Sequence, residues 1–429
     1  MDAVWRIESP RLVAGLTRIV HDIGVAEELA QDALVAALEQ WPREGVPRNP
    51  GAWLMTTAKR RAIDQIRRNE TFARKLRLLG HELELEQDAA AFGDVKEPDD
   101  PRDIEDDLLR LVFVACHPVL PREARVALTL RLLGGLTTDE IARAFLVAES
   151  TVAQRIVRAK RTLARERVPF EVPSGAALAE RLASVLEVVY LIFNEGYAAT
   201  AGDDWTRPGL CEDALRLARV LTGLLPREPE AWGLAALLEI QASRSAARSG
   251  PTPVPLLEQD RGRWDPLLIR RGFTALARAD AAAKARGAAP GPYALQAAIA
   301  ACHARAPRPE ETDWRTIAAL YDALAARAPS PVVELNRAVA VGRAHGPAAG
   351  LALADALAAT GSLGDYHLLP AVRGDLLASL GRRAEARTAF EHAAALTRNN
   401  AERAFLLARA ASCAEGAAGG SADAGSSGS

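Results

Sequence analysis

Cysteine and long apolar runs are scarce in this chain of 429 residues. The four cysteines lie far apart, without the CxxC spacing of a zinc site or the pattern of a disulfide framework, so neither a metal site nor a cofactor is predicted. No run of about 18 uninterrupted apolar residues occurs, and the N-terminus lacks a basic segment followed by an apolar one. These absences predict a cytoplasmic protein that does not associate with a membrane.

The composition is that of an ordinary globular protein, with 49% hydrophobic and 25% charged residues. It excludes a mainly disordered or collagen-like chain, and the length predicts two or more domains. The formal net charge of −2 conceals strongly segregated acidic and basic stretches, which are more informative than the total.

Apolar residues recur at helical spacing along nearly the whole chain, which predicts an all-α protein. The predicted order is a helical domain over 9–77, a flexible acidic linker over 78–107, a second helical domain over 108–168, a helical extension over 174–414 and a disordered tail over 415–429. The linker is assigned from its charge, since residues 82–107 hold twelve acidic residues against two basic ones. Prolines and glycines predict a loop over 42–51.

One segment of the extension has the small-residue spacing of a tetratricopeptide-like helix pair. Gly374 would let two helices approach closely, and Phe390 would fill the space between them. The full set is Gly374, Leu377, Gly381, Ala386, Phe390 and Ala393, followed by Asn399 and Asn400. With weaker versions over 336–357 and 232–241, the pattern predicts a helical-repeat domain. An irregular helical bundle is the alternative.

The strongest local pattern is GLTTDEIARAFLVAESTVAQRIVRAKRTL at 135–163. Thr137 or Thr138 can cap a first helix, residues 147–149 would form a tight turn, and a second helix follows. The spacing of the apolar residues predicts a buried side of the second helix, formed by Val152, Ile156 and Ala159. The outward side would hold Thr151, Ala153, Gln154, Arg155, Val157 and Arg158. This pattern is typical of a helix-turn-helix with a basic recognition helix. The alternative is an ordinary helical hairpin with a solvated basic face.

A second basic helix is predicted over 49–68, upstream of the linker. Residues 48–77 carry nine basic residues against Asp64 and Glu70, a large electrostatic footprint for nucleic acid. The side predicted to be buried holds Trp53, Leu54, Thr57, Ala58, Ala62, Ile63 and Ile66. The basic residues are Lys59, Arg60, Arg61, Arg67 and Arg68. Two basic modules joined by a flexible linker could contact two DNA sites at once.

Three segments in this order resemble a sigma factor of the extracytoplasmic-function type: AEELAQDALVAALEQW at 26–41, WLMTTAKRRAIDQIRR at 53–68, and the helix-turn-helix at 135–163. The resemblance covers about residues 9–167 and identifies the two helical domains with sigma regions two and four. The long helical extension, with LIFNEGY at 191–197, is similar to the subgroup that carries a C-terminal tetratricopeptide-like domain.

The resemblance implies a transcription initiation factor that binds core RNA polymerase and promoter DNA. The residues on the helix that docks on the clamp helices of the beta-prime subunit would be Glu28, Gln31, Asp32 and Trp41. The loop at 43–51 would hold a flipped base of the minus-ten element. The residues that open and hold this strand would be Trp53, Lys59 and Arg60, with Arg67 and Arg68 on phosphates. For Trp53, simple core packing is the alternative.

At the minus-thirty-five element, the resemblance implies that α-helical residues 150–163 enter the major groove. Gln154 and Arg158 would read bases, by amide to adenine and guanidinium to guanine geometry. Thr151, Ala153 and Val157 would face the groove, and Arg155, Lys160 and Arg161 would contact phosphates. Ala153 and Arg60 depart from the common family pattern, which leaves the promoter sequence open.

The extension contains no catalytic arrangement, so a protein that is not an enzyme is predicted, with the extension open to a regulatory protein. Asn194, Glu195 and Tyr197 form either a contact surface for the sigma regions or a capped helix end. Two competing functions are a free-standing helix-turn-helix regulator with a C-terminal sensor domain and a hydrolase. The first does not explain residues 26–68, and the second lacks a nucleophile with its base.

Overall fold

The computed structural model describes residues 2–78, 101–200, 202–248 and 253–418, and within these ranges the regular structure is helical, without a β-strand. The predicted all-α class is confirmed. The chain divides into two compact units, Met1–Val189 and Tyr190–Ser429. No helix in the described ranges is long and apolar enough to cross a bilayer.

The first unit contains a series of helices joined by short connections. They are α1 (Asp2–Val20), α2 (Ile23–Glu44), α3 (Pro50–Leu78), α4 (Pro101–Ala115), α5 (Arg122–Thr129), a π-helical turn (Leu130–Gly134), α6 (Thr138–Phe145), α7 (Glu149–Arg165) and α8 (Gly175–Tyr197). The boundary between the units falls within α8, after Val189. The first unit therefore ends later than the predicted start of the extension at residue 174.

The second unit contains the remaining eleven α-helices of the described ranges. They are α9 (Pro208–Leu224), α10 (Pro229–Ala242), α11 (Ser245–Arg248), α12 (Pro266–Ala285), α13 (Pro292–Arg305), α14 (Trp314–Arg327), α15 (Pro331–His345), α16 (Pro347–Ala359), α17 (Leu368–Ser379), α18 (Arg383–Leu396) and α19 (Asn400–Ala418). Short 3-10 turns lie at Leu256–Glu258, Arg261–Arg263 and Pro309–Glu311.

Local sequence signals set the ends of α2 and α3. The Asp22 side chain accepts a hydrogen bond from Val25 N at 2.9 Å, and Gly45 ends α2 with a φ of 86°. Pro42 lies in the last turn of α2, and Pro50 begins α3, where a missing N–H removes no helical hydrogen bond. The predicted loop over 42–51 is therefore wrong at both ends, and the connection spans only 45–49.

The predicted linker over 78–107 is also shorter in the structure, because α4 begins at Pro101. Residues 79–100, which include eight of the acidic residues, lie outside the described ranges. Asp107, at the predicted end of the linker, is instead buried, with ion pairs to Arg18 at 3.2 Å and to Arg110 at 2.6 Å. A buried carboxylate held by two guanidinium groups is a packing residue of the folded unit.

Successive helices of the second unit pack against each other from α12 to α19, the nearest-neighbour pattern of helical repeats. The predicted pair is confirmed as α17 and α18, where a Cβ atom at Gly374 would lie 2.8 Å from the ring of buried Phe390. The weaker pattern over 336–357 corresponds to α15 and α16, which approach through Gly342 and Gly350. The pattern over 232–241 falls on α10 alone.

Asn399, just before α19, ties together distant parts of the second unit. Its buried side-chain amide donates to the carbonyl oxygens of Ala199 at 3.3 Å and Asp204 at 3.1 Å. Asn400 N donates to the carbonyl of Gly202 at 3.1 Å. These bonds hold the segment after α8 against the start of α19, 200 residues later in the chain.

Candidate nucleic-acid interface

A capped helix and a tight turn position the predicted recognition helix. Thr137 Oγ1 accepts from Glu140 N at 3.1 Å, and Glu140 Oε2 accepts from Thr137 N at 2.7 Å, which is a reciprocal capping box. Leu146 turns the chain with a left-handed φ of 50°, and α7 begins at Glu149. Thr137 is therefore the cap of α6, and the turn lies over 146–148.

The two predicted sides of α7 are present in the structure. The buried side consists of Val152, Ile156 and Ala159, and the exposed or half-buried positions are Thr151, Ala153, Gln154, Arg155, Val157 and Arg158. The side chains of Gln154, Arg155 and Arg158 form no hydrogen bond or ion pair with another described residue. Their polar groups are therefore accessible to a ligand along one side of the helix.

Lys160, predicted to contact phosphate, is paired within the protein in this structure. Its ammonium group binds Glu27 of α2, which is 6% exposed and also accepts from Arg131 Nε at 2.6 Å. Burial by itself raises the pKa of Glu27, but the charges of Lys160 and Arg131 outweigh it and hold the pKa below its usual value. An ionised, buried carboxylate therefore joins α2 to α7 and to the turn before α6.

Two further ion pairs join the first helical domain to the second. Arg6 of α1 lies 2.8 Å from Glu140 of α6, and Arg18 of α1 pairs with Asp107 of α4. Together with the contacts of Glu27, they make the two predicted domains parts of one compact unit.

The cations of α3 lie along the outer part of the helix. The exposed or half-buried members whose side chains are described are Lys59, Arg60, Arg61, Arg67 and Arg68. Arg68 Nε donates to the carbonyl of Asp64 at 3.2 Å. The predicted buried side is confirmed at Leu54 and corrected at Ile63, which is 37% exposed. The outer side of α3 thus combines cationic groups with an apolar side chain, a combination that suits phosphates and base faces.

Two tryptophans brace α2 against α3. The ring centroids of Trp41 and Trp53 lie 5.4 Å apart in an edge-to-face arrangement. Trp41 is buried, so its side chain packs in the core between α2 and α3, and its predicted contact with the polymerase stays a prediction. Trp53 is half-buried, so it packs against Trp41 and keeps some accessible surface at the start of α3.

The outer side of α2 combines acidic and apolar side chains. Glu28 and Asp32 are exposed, and so are Val35 and Leu38, at about half of their surface. These positions share one stripe because they recur at helical spacing. Gln31, beside the stripe, is half-buried. The exposure of Val35 and Leu38 was not predicted, because α2 is apolar around most of its circumference and only packing selects the outer side.

Two of the three predicted residues at the end of α8, Glu195 and Tyr197, contact neighbours within the second unit. Glu195 pairs with Arg207 and accepts from Thr200 Oγ1 at 2.9 Å, and Tyr197 stacks on Phe193 with centroids 5.5 Å apart. These contacts favour the helix-end interpretation over a free contact surface. In the part of the chain that the structure describes, no three His, Cys, Asp or Glu side chains are grouped to hold a metal ion.

Protein-family comparisons divide the chain in the same order. Residues 5–71 match Sigma-70 region 2, residues 110–163 match Sigma-70 region 4, and residues 181–280 match a family of unknown function, DUF6596. The first two matches contain every residue predicted to contact polymerase or DNA.

Comparison with curated proteins finds one long and several shorter relatives. A protein of Rhizobium meliloti (strain 1021), described as uncharacterized, is 45% identical over 399 residues and covers 92% of both chains. The probable ECF RNA polymerase sigma factor SigI of Mycobacterium tuberculosis is 29% identical over 39% of this chain and 56% of its own. The ECF RNA polymerase sigma factor SigK of Mycobacterium ulcerans is 27% identical over 36% of this chain and 78% of its own. No solved structure matches the chain.

Proposed function

Because the chain belongs to the extracytoplasmic-function (ECF) sigma factors, as a member with a long C-terminal extension, we propose that it directs RNA polymerase to promoters through α2, α3 and α7. A sigma factor is an initiation factor and acts by binding core polymerase and promoter DNA in the cytoplasm. The observation that carries the proposal is the accessible row of Gln154, Arg155 and Arg158 on α7, within the region 4 match.

Polymerase docking is assigned to the outer stripe of α2. Its Glu28 and Asp32 offer carboxylates to a basic partner surface, and Val35 and Leu38 offer apolar area between them. Asp32 lies 3.5 Å from Arg61 in an exposed pair, which is weak enough to exchange for a partner's cation. Trp41 supports the stripe from inside by holding α2 on α3.

Contacts to the minus-ten element are assigned to α3 and the loop before it. Arg60, Arg67 and Arg68 would bind phosphates of the opened strand, with Lys59 beside them. The accessible part of Trp53 and the exposed Ile63 would contact bases.

Contacts to the minus-thirty-five element are assigned to α7. Gln154 would pair with an adenine edge and Arg158 with a guanine edge, while Thr151 faces the groove. Arg155 and Arg161 would contact phosphates. Lys160 could join them only after it leaves Glu27.

Binding both promoter elements at once requires regions two and four to separate. Elements about 25 base pairs apart lie about 85 Å apart along B-form DNA. A compact unit the size of Met1–Val189 has a radius of gyration of about 16 Å. Residues 79–100 of the chain can span about 75 Å when extended, so the connection permits separation. The ion pairs of Glu27 with Arg131 and Lys160, of Asp107 with Arg18 and of Glu140 with Arg6 would then break as the holoenzyme forms.

The extension is proposed to modulate this activity, through a regulatory protein or directly. The first part of α8 is not separable from region four, because Arg181 donates to the carbonyl of Phe113 at 2.7 Å and Ser184 donates to that of Cys116 at 2.6 Å. A truncation should therefore end after Val189, not near Val172.

Run-off transcription with core polymerase tests the proposal. The full chain and the chain ending at Val189 are compared on a promoter selected from a random library, beside the Asp32→Arg variant. Different transcript yields from the two lengths support modulation by the extension, and equal yields contradict it. Failure of the full chain to bind core polymerase would contradict the docking assignment and favour a free-standing regulator.

A further inference from the structure

Arg244, between α10 and α11, is a buried cation without a polar partner among the described residues of the second unit. It is 8% exposed, and its guanidinium carbon lies 5.6 Å from the Tyr197 ring centre and 5.8 Å from the Trp264 ring centre. Its side chain forms no hydrogen bond or ion pair with any described residue, and its Nε is fully buried. Burial of an uncompensated charge costs free energy, so an acceptor that bound this guanidinium group would stabilise the folded unit. The described neighbours do not supply one.

Arg248, one turn later, adds a second guanidinium. Its guanidinium carbon lies 3.6 Å from the Tyr197 ring centre and 4.5 Å from that of Trp205. One terminal nitrogen donates to the Tyr197 carbonyl at 2.8 Å. Burial lowers the pKa of Arg248, and the charge of Arg244 lowers it further, so the two cations act on each other.

Arg261 brings a third guanidinium from the loop before α12. Its carbon lies 5.2 Å from the Trp264 ring centre, and it donates to the carbonyl of His303 at 2.9 Å. Its Nε is buried without a hydrogen-bond partner. The carboxylates whose charges raise the pKa of Arg261 belong to Glu310 and Glu311, and both residues are exposed on a neighbouring turn. Three guanidinium groups therefore gather among aromatic rings and carbonyls.

Three neutral polar atoms lie beside these arginines, and each is buried without a hydrogen-bond partner among the described residues. They are the Tyr197 hydroxyl, the Trp264 indole N–H and the His303 Nδ1. Burial, together with the charges of Arg244 and Arg261, lowers the pKa of His303 to about 4, so its ring is neutral at physiological pH. The three guanidinium groups and the Trp264 N–H can only donate, and the Tyr197 hydroxyl can donate beside them, which is the chemistry that recognises an oxyanion.

We propose that this arginine–aromatic site, formed by Tyr197, Arg244, Arg248, Arg261, Trp264 and His303, binds a small ligand through a carboxylate or phosphate group. Arg244 is the principal contact, because its planar fork matches two oxygens of either group and has no competing partner among the described residues. Tyr197 and Trp264 donate beside it. The site belongs to the extension, and its ligand binding does not depend on promoter recognition.

Thermal unfolding of the full chain tests the proposal at constant ionic strength and neutral pH. The probes are inorganic phosphate and succinate, each compared with chloride. A ligand that binds only the folded state raises Tm, so one probe is expected to raise it by about 3 °C. The variant Arg244→Met is expected to lose this shift. In chloride its Tm should equal or exceed that of the wild type, because a buried uncompensated charge is gone.

The matched control is Arg286→Met, since Arg286 is paired with Glu228 at 2.5 Å and lies outside the site. It is expected to keep the full shift. The variant Tyr197→Phe removes the hydroxyl and retains the aromatic ring. It replaces Arg244→Met as the test of the site if Arg244→Met fails to fold. It should bind the probe several-fold more weakly while its Tm in chloride stays unchanged.

The response to the two probes identifies the ligand group, since a shift with phosphate alone indicates a phosphate and a shift with succinate alone indicates a carboxylate. No shift in the wild type with either probe would overturn the proposal. So would an equal shift in Arg244→Met and Arg286→Met, or wild-type affinity in Tyr197→Phe. In either of these cases the anion acts elsewhere or through general salt effects.

Discussion

Arg131 of region four places its Nε 2.6 Å from a carboxylate oxygen of Glu27 in region two, and Lys160 of the recognition helix pairs with the other oxygen. One buried side chain thus links α2, the proposed polymerase-docking helix, to α7, the proposed DNA-reading helix. In the proposed function the two regions separate to reach both promoter elements, so this contact would belong to the compact form alone.

Glu27→Gln is expected to destabilise the first unit by about 3 kcal/mol, because it leaves Arg131 and Lys160 without their buried counter-charge. Urea denaturation followed by circular dichroism measures the loss. The control is Asp139→Asn, which removes an exposed pair with Arg143 and should change the free energy of unfolding by less than about 1 kcal/mol. Equal effects of the two substitutions would contradict a buried role for Glu27.

The stability of the first unit should also depend on pH through Glu27. Its pKa is held below the ordinary value of 4.5, so its stabilising contribution is complete above that value and is lost as pH falls through the lower folded pKa. Unfolding measured from neutral to acidic pH should show the wild-type advantage over Glu27→Gln shrinking toward the acid end. An advantage that stays constant with pH would rule out the titration of this carboxylate.

Gln154→Ala should change promoter preference at one base pair, at a cost of about 1–3 kcal/mol for the preferred base. Arg155→Ala should instead weaken binding to all promoter variants and reduce the salt slope by about 1. Holoenzyme binding to a set of single-base promoter variants at several salt concentrations separates the two effects. Uniform losses from both substitutions would count against base reading by Gln154.

Asp32→Arg should abolish binding to core polymerase without unfolding the protein. Its native pair with Arg61 is exposed, so its loss costs at most about 1 kcal/mol of stability, whereas the new charge opposes a basic partner surface. Native gel shift with core polymerase measures the binding. The control is Asp280→Arg, at an exposed i,i+4 pair with Lys284 in the extension, which should bind normally. Retained binding by Asp32→Arg would exclude the docking assignment.

The crossing of α17 and α18 should be sensitive to a single methyl group. Gly374→Ala places a Cβ atom 2.8 Å from the Phe390 ring and should cost about 1–3 kcal/mol. Phe390→Ala should cost about 3–5 kcal/mol by leaving a cavity. The control is Gly364→Ala, whose nearest neighbour would be a carbonyl oxygen at 3.7 Å, and it should be nearly neutral.

A double variant tests whether the two side chains share one space. Once Phe390 is truncated, Gly374→Ala has no ring to displace, so its added cost should fall well below its cost alone. Additive losses in chemical denaturation would show that the methyl group and the ring act independently.

Local chemistry made the helix-turn-helix predictable. Thr137 with Glu140 three residues later is a capping box, and Val152, Ile156 and Ala159 recur at the spacing of a buried helix side. The Gly374–Phe390 crossing was predictable for the same reason, because a small residue opposite a large one is visible at fixed spacing.

Other features depend on contacts between residues far apart in the chain. Nothing local distinguishes Lys160, which binds Glu27, from its neighbours Arg158 and Arg161, which are exposed. Nothing local marks Val35 and Leu38 as exposed, Asp107 as buried or Trp41 as a core residue. Each outcome depends on which helix packs against that side chain.

The sequence by itself determined the helical class, the order of the sigma regions and the recognition helix, because caps, periodicity and charge act over a few residues. Only the tertiary structure decided that regions two and four pack together around Glu27, and that three arginines of the extension gather among aromatic rings. The physical reason is that burial and ion pairing depend on the packing of segments distant in the chain. Helical periodicity predicts which side of a helix is buried but not which other helix packs against it.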